Sequence, residues 1–78
     1  MKEVKNIELV KVLRYRDKYL VYAFKEDTHY ELYLKHEDYG ILYLMIGAPI
    51  EQQSLDTLIA ISDLDEYIEE YKENYEDW

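Results

Sequence analysis

The sequence predicts an α+β fold. A four-stranded antiparallel meander is followed by one short and one longer C-terminal amphipathic helix, both packed on one sheet face. Three observations carry this expectation. The first half alternates runs rich in β-branched and aromatic residues with short polar breaks, as hairpin-linked strands do. Pro49 then closes the region. Beyond it the apolar spacing changes from two residues to three and four, the period of a helix.

The first strand, Ile7–Tyr15, does not alternate cleanly. Ile7, Leu9, Leu13 and Tyr15 share a parity with Lys11, while Val10 and Val12 take the other, so a bulge near Val10–Lys11 is expected. Arg16-Asp17-Lys18 is a hairpin-length loop leading into Tyr19–Lys25. Glu26–His29 supplies the next turn. Tyr30–His36 alternates, with Tyr30, Leu32 and Leu34 on one side and Glu31, Tyr33 and Lys35 on the other. Glu37–Gly40 is a third turn, in which Gly40 suits a positive φ. Ile41–Gly47 is the fourth and more buried run.

Ser54–Ile61 places Leu55, Leu58 and Ile59 at helical spacing behind a Ser54 cap, and a short strand at Thr57–Ile61 is the competing reading. In the last segment Leu64, Tyr67, Ile68, Tyr71, Tyr75 and Trp78 fall on one helical face. Ser62 with Asp65 three residues on reads as a capping box.

Seventy-eight residues are read as one domain, 1–78, with little surface to bury. The absence of cysteine removes disulfides and thiolate metal sites. No run approaches the length of a membrane span, and "MKEVKNIELV" lacks the apolar core of a signal peptide. A soluble, cytoplasmic protein with no membrane association is expected.

The net charge is −9, and its distribution is uneven. Residues 1–39 hold eight acids and eight bases, whereas residues 40–78 hold ten acids against Lys72 alone. A basic footprint for phosphates is therefore missing, and no direct nucleic-acid binding is expected. A basic protein partner is favoured instead. Asp63, Glu66, Glu69, Glu70, Glu73 and Asp77 form the expected partner-binding ridge, on the helix face opposite the aromatics. Glu66/Glu70 and Glu69/Glu73 repel at i,i+4, so helix stability does not account for the acids.

Ten tyrosines stand in the chain. Tyr22, Tyr30, Tyr67 and Tyr71 are assigned to the core. Tyr19, Tyr33, Tyr43 and Met45, with Val21 and Ile41, are expected on the sheet face away from the helices, as an aromatic interface suited to a homodimer.

No catalytic or metal signature emerges. His29 and His36 near Glu37 and Asp38 match no ligand spacing and read as exposed turn residues. There is no phosphate loop and no nucleophile elbow, and exposed carboxylates stay ionised at neutral pH. The chain is read as non-enzymatic, without cofactor or metal.

In size, acidity and tyrosine content the chain resembles small proteins that phages and mobile elements make to block host defence, anti-CRISPR inhibitors among them. That resemblance implies an inhibitor whose carboxylates imitate DNA and occupy a basic groove of a nucleic-acid-handling protein. A regulatory homo-oligomer and an antitoxin or immunity partner are the alternatives.

Overall fold

A computed structural model describes residues 6–76. Four antiparallel strands, β1 (Ile7–Tyr15), β2 (Tyr19–Glu26), β3 (His29–His36) and β4 (Leu42–Pro49), form one sheet in the order β1-β2-β3-β4. The helices α1 (Leu55–Ile61) and α2 (Leu64–Tyr71) follow, and α2 continues into a π-helical turn at Lys72–Glu76. The expected meander and helix pair are therefore both present, and Thr57–Ile61 is helical.

Short connections fix the antiparallel order. Arg16 and Asp27 take left-handed φ values of 59° and 53° in the first two turns, and Gly40 takes 72° in the third. Only glycine adopts that region without a steric penalty, while Asp tolerates it better than Arg.

The register of β1 slips between Leu9 and Lys11, leaving Val10 as the extra residue of a bulge where the broken alternation placed one. The consequence is a change of face. Lys11, Leu13 and Tyr15 pair with Ala23, Val21 and Tyr19 on the helix side, whereas Ile7 and Leu9 join Val12 on the outer side. A second slip, between Leu32 and Tyr33 opposite Met45, bulges β4.

The core lies between the sheet and the helices. Val21, Ala23, Leu32 and Leu34 of the central strands, Met45 and Ala48 of β4, and Leu58, Ile68 and Tyr71 of the helices are buried. Ser54 caps α1, its hydroxyl accepting from the Thr57 amide at 3.3 Å. Ser62 does not begin a capping box. It ends α1, its hydroxyl donating to the Ile59 carbonyl at 2.7 Å, and Asp63 caps α2 by accepting from the Glu66 amide. The two-residue link, Ser62-Asp63, divides the work: Ser62 faces back to α1 and Asp63 forward to α2.

Several sequence assignments change with burial. Tyr19, Val21 and Met45 are core residues, and Tyr43 packs edge-on against Tyr71 and Tyr75. These four therefore face the helices and do not form an exposed outer patch. Tyr33 does lie on the outer face, joined by Tyr22, which is not in the core. His36 is not an exposed turn residue: it is buried between the rings of Tyr19 and Tyr39, its Nδ1 accepting from the Asp38 amide at 3.1 Å. His29 is exposed.

Candidate functional surfaces

The acids of the C-terminal third separate into two groups. One group ties the helices to strand tyrosines. Tyr15 donates its hydroxyl to Asp65 at 2.9 Å, and Arg16 reaches the same carboxylate oxygen at 2.7 Å. Tyr19 donates to Glu76 at 2.6 Å, and Tyr43 donates to Glu70. These tyrosines all lie on the helix-facing side of the sheet. Phenol-to-carboxylate bonds carry charge assistance and are stronger than neutral ones. The acids do contribute to folding here, which corrects the expectation that stability leaves them unaccounted for.

The π-turn makes the Tyr19–Glu76 bond. Its i→i+5 hydrogen bonds widen the turn, which brings residues five apart nearer to one side than an α-helix does. Glu76 thereby returns to the side of Tyr71, over Tyr19 and within 4.0 Å of His36 Nε2. In a continuing α-helix, with 3.6 residues per turn, Glu76 would have rotated away from Tyr71. Tyr71 completes the joint, donating its own hydroxyl to the Ile41 carbonyl at 2.8 Å.

These contacts shift the phenols. Tyr43 is pushed up to about 12, first by its bond to Glu70 and then by burial. Burial raises Tyr19 well above the ordinary phenol range, and the Glu76 bond adds to it. Burial likewise raises Tyr71.

The second group of acids faces water. Glu66, Glu69 and Glu73 are exposed along α2 and its π extension, with Lys72 Nζ 3.9 Å from Glu69. Asp63 is exposed while capping the helix. Of the six ridge residues read from sequence, Glu70 is turned toward the sheet by Tyr43, and Asp77 lies outside the described residues, as does Trp78.

The other surface is the outer side of the sheet. Strand register arranges it in rows across the four strands. Arg14, Leu20, Lys35 and Leu42 form the row at one end. Val12, Tyr22, Tyr33 and Leu44 come next, then Leu9, Phe24, Glu31 and Gly47. Ile7, Glu26, His29 and Pro49 complete the far end. The centre is apolar and aromatic: Phe24 meets Tyr33 edge-on at 5.5 Å and Tyr22 in a stacked arrangement at 6.5 Å. One end is basic, with Lys35 Nζ 5.8 Å from the Tyr22 ring centre. The other is acidic: Tyr33 is raised by burial, with the charges of Glu31 and Glu26 adding to the shift. Leu9, Val12, Leu42 and Leu44 are each about half exposed, between 46% and 50%, so nothing among the described residues covers them fully. Sequence parity alone concealed this face, because the bulge at Val10 is what brings Ile7 and Leu9 to it.

Among the described residues no group of three or more His, Asp or Glu side chains is arranged to hold a metal ion, and no helix is long and apolar enough to cross a membrane. Compared with models of known families, with curated proteins and with solved structures, the chain matches none.

Proposed function

We propose that the chain is a non-enzymatic protein-binding module whose outward carboxylates occupy a basic groove of a nucleic-acid-handling protein, in the manner of a phage or mobile-element inhibitor that imitates DNA. The observation that carries this reading is the division among the acids: Asp65, Glu70 and Glu76 are bonded to the sheet, while Glu66, Glu69 and Glu73 are exposed to water along α2 and its π extension. At a helical rise of about 1.5 Å per residue, these three stand about 5 Å apart along the axis. The phosphates of one DNA strand advance about 3.4 Å each, a spacing of the same order. The charge distribution supports the same reading, since the second half of the chain carries the whole net charge.

The test is capture from cell lysate by wild type and by Glu66→Gln/Glu69→Gln/Glu73→Gln, at low and high salt, with duplex DNA as competitor. Glu70 is left unchanged because it holds Tyr43. The reading expects a basic, nucleic-acid-binding protein that only wild type retains and that both salt and DNA release. Equal capture by the variant removes the acidic ridge as the binding surface.

A further inference from the structure

We infer that a second copy of this chain covers the outer sheet face, in a two-fold dimer whose sheets stack face to face with their strands running in opposite directions. The face fits a protein partner in kind and in size. Its centre is built from Val12, Leu9, Tyr33 and Leu44, half-exposed or partly buried apolar side chains in one contiguous patch, the kind of surface that marks an interface. Four strands at about 4.8 Å spacing and eight residues at about 3.3 Å give a face of about 500 Å². Two such faces remove about 1,000 Å² from water, the lower bound for a specific interface. A dimer dissociating at about micromolar concentration is the expected scale.

Charge selects the arrangement. The basic end holds Lys35 and Arg14, the latter also bonded to Glu37 at 3.0 Å, and towards the acidic end lie Glu31, four residues from Lys35, and Glu26, six from Leu20. A two-fold axis lying across the strands sets the basic end of each copy over the acidic end of the other. An axis along the strands would set like charge on like, which costs free energy in a desolvated contact. Both edge strands are bulged, β1 at Val10 and β4 at Met45, and Pro49 closes β4. Bulges and proline discourage edge-to-edge pairing, so the face is the surface left for association. The −9 charge does not prevent it. The acidic helix lies on the opposite side of the molecule, and a Debye length of about 8 Å screens one helix layer from the other across two stacked sheets.

Sedimentation equilibrium from about 0.1 to about 500 µM tests the inference, a range that brackets a micromolar dissociation constant. Wild type is expected to move from the 9.6 kDa monomer to twice that mass. Leu44→Glu, at a half-exposed site, should weaken the dimer by about a hundredfold while its circular dichroism stays that of wild type. Lys35→Glu should weaken it by about tenfold, and adding Glu31→Lys to that variant should restore it. Glu66→Gln/Glu69→Gln/Glu73→Gln should dimerise like wild type, which separates this surface from the acidic ridge. A wild type that stays monomeric throughout, or a Leu44→Glu variant that dimerises as before, overturns the inference. Tighter association of Lys35→Glu overturns the opposed-strand arrangement.

Discussion

At the scale of single residues, the tyrosines do more than fill space. Tyr71 is fully buried, and its hydroxyl meets the Ile41 carbonyl just before β4 begins. Tyr71→Phe should leave that carbonyl without its donor and lower stability by about 1–2 kcal/mol, read from urea unfolding. Unchanged stability would mean that water replaces the phenol. The raised phenols also set an alkaline limit. Tyr43 ionises near 12 rather than at its ordinary 10.0, and Tyr19, Tyr33 and Tyr71 are raised too. The folded chain therefore holds these protons more tightly than the unfolded chain. The resulting stability is complete below about pH 10 and is lost as pH rises through about 12. Melting temperatures measured from pH 9 upward should fall across that window. A flat profile would contradict the tyrosine–carboxylate bonds.

At the scale of elements, two short helices need help from the sheet. α1 has seven residues and α2 eight, lengths at which an isolated helix is not stable in water. Ile68 and Leu58 supply buried apolar contact, and the carboxylates of Asp65, Glu70 and Glu76 bind tyrosines of β1, β2 and β4. Ile68→Ala should cost about 2–4 kcal/mol through the cavity it leaves. A double-mutant cycle between Tyr19→Phe and Glu76→Ala should return a coupling of about 1 kcal/mol. A coupling near zero would show that the π-turn is not held by that bond. The outward acids should behave in the opposite sense. Replacing Glu66, Glu69 and Glu73 with Gln removes two i,i+4 repulsions, Glu66/Glu70 and Glu69/Glu73, and should raise the melting temperature slightly at low salt, with the gain shrinking as salt increases.

At the scale of the whole molecule, the sheet separates two unlike surfaces. The structure is only 17 Å through in its thinnest direction, so one layer of helices covers one side of one sheet. The helix side carries the core and the acidic ridge. The other side is apolar at its centre and oppositely charged at its two ends. The fifteen residues of α-helix among the described residues are too few to cover both faces of a four-stranded sheet. Association through the outer face would supply the missing layer, and it would place the two acidic ridges on opposite outer surfaces of the pair.

Local sequence determined the elements. Hairpin-length breaks between β-branched runs, the change of period after Pro49, the glycine suited to a left-handed turn and the Ser54 cap are each decided by residues within a few positions of one another. The bulge in β1 was legible for the same reason, as a break in alternation at Val10–Lys11. Tertiary structure decided which side of the sheet each strand residue serves. A bulge exchanges the two faces for every residue beyond it, and the position of the helices chooses which face becomes core, so Tyr19 and Met45 are buried while Tyr22 looks outward. It also decided which acids are structural. Spacing along α2 makes Glu66 and Glu70 equivalent, and only the approach of Tyr43 distinguishes the second from the first. A period records which residues share a face of their own element, but a hydrogen bond requires a partner, and that partner comes from another element.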